Sequence, residues 1–176
     1  MNSTELLLKK YPNVKVVEVS QELDQDTFNA QKIKHEQRQA EGGAIGTVWL
    51  EDGTIVLTKR SGLHAGWALI GGTVENGEAF DDAFLREVKE EIGIKATIGR
   101  IVMLERKIFT SPNAEQLPMN VAVIEAHAEK GEQITKTKDA EIEGLEAKAF
   151  AINSLPSEMI LNDLNKLELV VAARRV

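Results

Sequence analysis

The most constrained pattern in the chain is WALIGGTVENGEAFDDAFLREVKEEIGI, residues 67–94. Within it, Gly72 is followed after five residues by Glu78 and, after seven more, by the run REVKEEIGI at residues 86–94. If each fixed residue type occurs at roughly 7% of positions, the seven fixed positions arise by chance with a probability on the order of 10⁻⁸ per starting point. Coincidence is therefore a poor explanation of this stretch.

Apolar periodicity predicts a helix from about Ala79 to Ile92. Its apolar residues recur at a spacing of three to four, which places them on one core-facing side. They are Phe84, Leu85, Val88 and Ile92. Gly93 then follows as a helix C-cap, and the pair Gly71-Gly72 is interpreted as a turn that a side chain would obstruct.

Three glutamates of this helix share one side: on an ideal helix Glu90 and Glu91 each lie within about 60° of Glu87. Like charges at these spacings destabilise a helix unless something compensates them. A divalent cation would do so, and Mg²⁺ in particular prefers a few carboxylates together with waters and phosphate oxygens. The alternative is a solvated acidic face. The fixed glycines, Arg86 and Glu78 favour the metal site.

The pattern from Gly72 to Ile94 resembles the Nudix box, GX5EX7REUXEEXGU with U aliphatic, and matches it at every defined position. The resemblance implies an α/β (α+β) fold, the Nudix α/β/α sandwich with a mixed β-sheet between helices. It also implies Mg²⁺-dependent hydrolysis of a phosphoanhydride bond in a nucleoside diphosphate linked to another group, releasing a nucleoside monophosphate. The implied substrates are ADP-ribose, a nucleotide sugar, a dinucleoside polyphosphate or an NTP. A nucleotide-binding sensor on the same fold, without turnover, is the alternative function.

The same resemblance implies roles for individual residues. The metal ligands are Glu87, Glu90, Glu91 and the backbone carbonyl of Gly71, for Mg²⁺ or for Mn²⁺ as a substitute. Glu78 and Arg86 are supporting catalytic groups. Independently of the resemblance, helical spacing lets Arg86 pair with Asp82 or Glu90, and Glu78 just before the helix is another partner, so that Arg86 would hold the acidic cluster in place. The catalytic base is either Glu87 or a later acid. The later candidates are Asp139, Glu141, Glu143 and Glu115. Of these four, Glu141 is the one we predict as a catalytic residue.

Composition restricts the classes of protein and partner. With 43% apolar residues in 176, the chain can form one well-packed domain, and no cysteine is present for disulfides or thiolate chemistry. The net charge of −7 and the lack of a basic block argue against nucleic acid as a partner. No run of about 20 apolar residues could span a bilayer, and no secretory signal is visible. We expect a cytoplasmic protein acting on a small nucleotide.

Two regions are predicted, an N-terminal leader at residues 1–41 and a Nudix hydrolase domain at residues 42–176. In the leader we expect a short helix that Ser3 caps and that continues through Lys10, an extended segment over residues 14–19, and a polar stretch at residues 21–41 without a core-facing helix. The leader could cover the domain, add a strand, or pair two subunits as a homodimer.

The domain is predicted to alternate strands and helices around the box. A hairpin of residues 43–50 and 54–60 is joined by the Asp52-Gly53 turn. Extended runs follow at residues 96–110, 117–128 and 143–152, with residues 129–141 as a loop. A last helix is expected to start at Pro156.

Four residues near the box have both a functional and a structural interpretation. Lys59 and Arg60 could supply countercharge to polyphosphate, or could be solvated cations at a strand end. Trp67 could stack on a base or be a buried anchor. His64 could be a ligand or a hydrogen-bonding loop residue, and we favour the second. Lys59, Arg60 and Trp67 are therefore the candidate substrate contacts.

Overall fold

The structure, a computed structural model, describes residues 2–40, 42–62 and 65–174, so His64 lies outside the described residues. The described part of the chain forms five helices: α1 (Ser3–Lys10), α2 (Gln25–Arg38), α3 (Phe80–Ile92), α4 (Lys138–Glu143) and α5 (Leu161–Arg174). It forms eight strands: β1 (Lys15–Glu22), β2 (Gly42–Trp49), β3 (Ile55–Arg60), β4 (Gly66–Ala68), β5 (Ile70–Val74), β6 (Ala96–Thr110), β7 (Gln116–Ala128) and β8 (Glu146–Phe150). Among these described helices, none has the length and apolar character that crossing a membrane requires.

All eight strands belong to one mixed sheet. Its main order is β1-β6-β7-β2-β3-β4, with β5 paired to β2 and β8 paired to β3. The β1–β6 and β2–β7 pairs are parallel, and the other pairs are antiparallel. The predicted hairpin is present, because β2 and β3 pair at Val48↔Val56 and Trp49↔Ile55.

Helices cover both faces of the sheet. Because side chains alternate along a strand, Val56 of β3 points to the core that contains α3, whereas Ile55 and Leu57 point to the core that contains α5. In the second core, Leu167 of α5 is 1% exposed. The predicted α/β/α sandwich is confirmed.

The helix of the box, α3, is held by its apolar stripe. Phe84, Val88 and Ile92 are each 0% exposed, while Leu85 is only partly buried and Phe80 contributes instead. Burying one such side chain fully contributes about 1.5–3 kcal/mol. The helix ends at Gly93, whose φ of 68° is the left-handed conformation expected of a glycine C-cap.

The leader contributes three elements that pack on the rest of the chain. Strand β1 pairs in parallel with β6 and adds an edge to the sheet. Helix α1 ends at Lys10 as predicted, but it begins one residue earlier, because its N-cap is Asn2 rather than Ser3. Helix α2 lies where no core-facing helix was predicted. It forms because the Asp24 side chain caps it and Phe28 is buried. A single buried apolar residue is too little for the sequence pattern to indicate a core-facing helix.

The C-terminal third differs from prediction in three boundaries. Helix α4 occupies the end of the predicted loop and is capped by the Thr137 side chain. Strand β8 is correspondingly shorter than the predicted strand. Helix α5 begins at Leu161, not Pro156, because the intervening segment hydrogen-bonds to β4: the Trp67 amide donates to the Glu158 carbonyl, and the Ile160 amide donates to the Trp67 carbonyl.

Candidate active site

Arg86 lies at the centre of a network of carboxylates. Its Nε and Nη2 donate to the two carboxylate oxygens of Glu78 at 2.9 and 3.0 Å, a bidentate pair. Its Nη1 donates to Glu87 Oε1 at 2.9 Å and to Glu90 Oε2 at 3.1 Å. Nη2 also donates to the Thr73 carbonyl at 2.9 Å. Arg86 therefore ties α3 to β5 and to the loop that precedes the helix.

Glu91 is separate from this network. Its Oε1 accepts a hydrogen bond from Arg60 Nη2 at 3.2 Å, and the same nitrogen donates to the Gly71 carbonyl at 3.1 Å. Glu91 Oε2 is buried and has no hydrogen-bond partner among the described residues. The predicted cluster of three carboxylates is thus divided, with Glu87 and Glu90 on Arg86 and Glu91 on Arg60.

Two cavities border these carboxylates. The first, which we call the carboxylate cavity, has a volume of about 480 Å³ and is lined by Thr73, Glu75, Arg86, Glu87, Glu90 and Glu143. The second has a volume of about 340 Å³ and is lined by Glu91, Ile134, Thr135, Lys136, Ala140, Leu145, Glu146 and Ala147. Helix α4 is fixed beside α3, since the Thr137 hydroxyl donates to the Glu90 carbonyl. This contact places the end of α4, with Glu143, at the carboxylate cavity.

Burial raises the pKa values of these acids, and the neighbouring arginines lower them. Burial raises the pKa of Glu91 to about 8, with Arg60 opposing the shift and the charges of Glu87 and Glu143 adding to it. Burial also raises the pKa of Glu87, against the hydrogen bond from Arg86. Although burial alone would raise the pKa of Glu78, the Arg86 hydrogen bonds hold it below its usual range. A cation placed near Glu87 and Glu91 would therefore stabilise their ionised forms.

The paired glycines allow close packing between β5 and its neighbours. They lie within strand β5 and not in a turn, which corrects the interpretation of Gly71-Gly72. A Cβ at Gly71 would lie 2.1 Å from the Ala44 carbonyl oxygen, and a Cβ at Gly72 would lie 2.4 Å from Glu87 Oε1. Gly72 thus leaves room for the Glu87 carboxylate beside the strand.

The structure places Glu143, and not Glu141, at the carboxylate cavity. The Glu141 carboxylate is 57% exposed and pairs with Lys136 at 3.3 Å, whereas Glu143 lines the carboxylate cavity. Residues two positions apart on a helix differ by about 200° in direction, so Glu141 and Glu143 face different sides of α4. Glu115 is also placed elsewhere, because it pairs with Lys32 of α2 at 3.5 Å.

Of the three candidate substrate contacts, Arg60 is the one that reaches the residues of the box. Lys59 pairs with Glu158 at 3.3 Å and lies 5.9 Å from the ring centroid of Trp67. Trp67 is 7% exposed and makes an edge-on contact with Phe150, so its ring is covered and is not free to stack on a base. Lys59 and Trp67 are thus engaged in contacts within the protein. Arg60 binds Glu91 of the box, and its contact with a substrate stays a prediction.

The donor set fits a divalent metal ion in its chemistry. Within residues 2–40, 42–62 and 65–174, no three acidic or histidine side chains already converge as a metal site. Every candidate ligand is nevertheless an oxygen, which suits a hard cation. Glu91 Oε2 is an unsatisfied buried acceptor, and the Glu91 and Gly71 oxygens already share one positively charged partner in Arg60. Buried acceptors of this kind require a donor or a cation.

Comparison with known proteins identifies the family. A family model described as the NUDIX domain matches residues 41–169. The chain belongs to the Nudix family. The resemblance drawn from the box is confirmed, and the match extends far beyond residues 72–94. Nudix enzymes act on small nucleotides and generally use divalent metal ions.

Two relatives carry the names of nucleotide hydrolases. A nucleoside triphosphatase of Escherichia fergusonii is 44% identical over 54 residues, which are 28% of this chain and 38% of that protein. An ADP-ribose pyrophosphatase of Methanocaldococcus jannaschii is 28% identical over 115 residues, which are 64% of this chain and 63% of that protein. The chain therefore spans less than two thirds of the length of each of these relatives.

A solved structure agrees with the fold. The ADP-ribose pyrophosphatase of Streptococcus suis superimposes with a TM-score of 0.55 at 20% sequence identity, covering 76% of this chain and 91% of that one. At this identity the likeness shows the fold alone, and it is the Nudix fold that the box implies.

Proposed function

We propose that the protein is an Mg²⁺-dependent hydrolase that splits a phosphoanhydride bond in a nucleoside diphosphate linked to another group. The observation that carries this proposal is the carboxylate cavity, whose lining brings Glu87, Glu90 and Glu143 together with Arg86. An acidic cavity repels a polyphosphate unless a cation lies between them, so this wall suits a metal-bound anionic substrate. The relatives named as nucleotide hydrolases support the same reaction class.

The residues that would hold the cation are Glu87, Glu90, Glu91 and the Gly71 carbonyl. When bound there, Mg²⁺ neutralises phosphate oxygens and lowers the pKa of a bound water. Arg60 supports this assignment, because its Nη2 lies within hydrogen-bond distance of both the Glu91 and the Gly71 oxygen. Its side chain is 36% exposed, so the guanidinium is also accessible to a phosphate group.

Arg86 and Glu78 act as a clamp that holds the acids in place. The bidentate contact keeps Glu78 ionised, since it lowers the pKa of that carboxyl against the effect of burial. The remaining Arg86 nitrogen holds Glu87 and Glu90 at the cavity wall. Orienting ligands in this way is a common function of groups one step removed from a metal, and losing them typically costs about 10–100-fold in affinity or activity.

The proposal is tested by a hydrolysis screen with the full chain. The substrates are ADP-ribose, a nucleotide sugar, a dinucleoside polyphosphate and an NTP, with products separated by chromatography. We expect release of a nucleoside monophosphate in Mg²⁺, loss of turnover in EDTA, and recovery when Mg²⁺ is restored. Glu90→Gln is expected to lower turnover by on the order of 10²-fold.

Two outcomes would contradict this proposal. The first is the absence of metal-dependent turnover across the whole panel. The second is tight nucleotide binding in calorimetry with intact ligand recovered afterwards, which would instead indicate a sensor on the Nudix fold.

We assign the general base outside the box to Glu143. Its carboxylate lines the carboxylate cavity, and its charge contributes to the raised pKa of Glu87. Glu143→Gln is therefore expected to lower kcat by on the order of 10²-fold with little change in KM, because a positioned base contributes in that range. Glu141→Gln is the matched control on the same helix, and its kcat should stay within twofold of wild type. Equal kcat values for the two variants would remove Glu143 from this role.

A further inference from the structure

Helix α1 of the leader packs directly against the start of α3. The Ser3 hydroxyl donates to the backbone carbonyl of Glu78. At the other end of α1, Lys10 Nζ and the Tyr11 hydroxyl both donate to Asp81 Oδ2, the second of them at 2.9 Å. These contacts join residues that are 70 or more positions apart in the chain. They therefore connect a segment outside the matched family domain to the helix of the box.

Asp81 depends on the leader for its charge partners. It lies in the first turn of α3 and is 6% exposed. Although burial alone would raise the pKa of Asp81, the hydrogen bonds from Lys10 and Tyr11 lower it. The same contact raises the pKa of Lys10. A carboxylate at a helix N-terminus is also favoured by the helix dipole, so the whole arrangement holds the start of α3 against α1.

The residues that α1 contacts, Glu78 and the first turn of α3, adjoin the Arg86 clamp. Glu78, whose main chain Ser3 holds, is the bidentate partner of Arg86. Leu7 of α1 is 4% exposed and belongs to the same buried cluster as Phe80 and Phe84 of α3. The main chain at Glu78 and the first turn of α3 are thus both anchored to α1, and the side chains of the clamp extend from these anchors.

We propose that α1 is a positioning element of the active site, in which Ser3, Lys10 and Tyr11 set the place of Glu78 and of α3 and thereby the place of the carboxylates that Arg86 holds. This inference rests on the proposed function for its kinetic consequence. None of the three residues is a catalytic residue, because each acts through Glu78 or Asp81.

Lys10→Met is the test, and Lys9→Met is its matched control. Both lysines are exposed neighbours on α1, but the Lys10 ammonium binds Asp81. Misplacing reacting groups by about 1 Å can cost on the order of 10²-fold in rate. We expect Lys10→Met to lower kcat at least tenfold, with KM within twofold, at a temperature where thermal melting shows both variants fully folded. Lys10→Arg should restore kcat to within threefold of wild type.

Direct Mn²⁺ binding provides a readout independent of turnover. Paramagnetic resonance of free Mn²⁺ in titrations of the full chain should show a Kd at least threefold weaker for Lys10→Met than for Lys9→Met. Ser3→Ala, which removes one hydroxyl, should weaken Mn²⁺ binding in the same direction. This variant keeps the Asp81 contacts, so it serves if Lys10→Met fails to fold.

The outcomes separate the inference from the proposed function. If wild type turns over and both lysine variants share one kcat, α1 does not position the site. A lower melting temperature for Lys10→Met with unchanged kcat would likewise assign the contact to stability alone. If wild type hydrolyses no substrate of the panel, the proposed function fails. In that case the Mn²⁺ titrations alone test whether α1 positions the carboxylates. Equal Kd values for Lys10→Met, Lys9→Met and Ser3→Ala would overturn the inference.

Discussion

Replacement of Glu87 by glutamine is expected to lower kcat by on the order of 10³-fold while the fold is retained. Glu87 combines the features required of a central acid in this site: it lines the carboxylate cavity, it is bound by Arg86 at 2.9 Å, and it faces the space left by Gly72. An amide keeps the size of the side chain but loses the charge that would attract a cation. Because burial already raises the pKa of Glu87, a neutral group there should cost little stability.

The measurements are kcat for the best substrate of the panel, the Mg²⁺ concentration that gives half-maximal rate, and the melting temperature. Asp82→Asn is the matched control, because it removes a carboxylate from an exposed position of the same helix. It should retain kcat within twofold. If Glu87→Gln keeps more than a tenth of wild-type kcat, the centre of the reaction lies elsewhere, and the cavity around Glu91 becomes the alternative.

Sequence spacing could predict the composition of the site but not how its members pair. Helical spacing predicted that Arg86 holds the acidic cluster, and the structure shows it bound to Glu78, Glu87 and Glu90. Helical geometry also placed Glu91 beside Glu87 and Glu90. In the structure Glu91 points to Arg60, because strand β3 brings a second guanidinium to that side of α3. A helical projection of one segment contains no information about side chains that arrive from another strand.

Long-range contacts account for the rest of what the sequence did not indicate. No local pattern distinguishes Asp81 from other acids in the first turn of a helix, yet it is buried and bound by Lys10 and Tyr11 of the leader. The choice between Glu141 and Glu143 required the direction of α4, a six-residue helix within a polar segment. By contrast, the bounds of β6 and the end of α3 at Gly93 followed from local apolar pattern and glycine chemistry.

Replacement of Arg86 by methionine is expected to reduce both stability and activity. The change removes the hydrogen bonds to Glu78, Glu87 and Glu90 and leaves the Thr73 carbonyl without this donor. Breaking a buried ion pair by removing one partner typically costs about 3–5 kcal/mol, and the partial exposure of these groups reduces the expected loss to about 2 kcal/mol. Without the clamp, kcat should fall by on the order of 10²-fold. Urea unfolding and steady-state kinetics measure the two effects.

The Glu78→Gln background separates the two functions of Arg86. A neutral side chain at position 78 does not need the guanidinium as a partner, so Arg86→Met should lower the free energy of unfolding less in this background than in wild type. The difference between the two losses is the coupling energy between Arg86 and Glu78. Activity should not recover in the double variant, because Glu87 and Glu90 still lack the group that holds them at the cavity. Arg106→Met, at an exposed position on β6, is the control and should leave both quantities nearly unchanged. If Arg86→Met unfolds at the same urea concentration as Arg106→Met and keeps its kcat, the carboxylates maintain their places by backbone geometry alone.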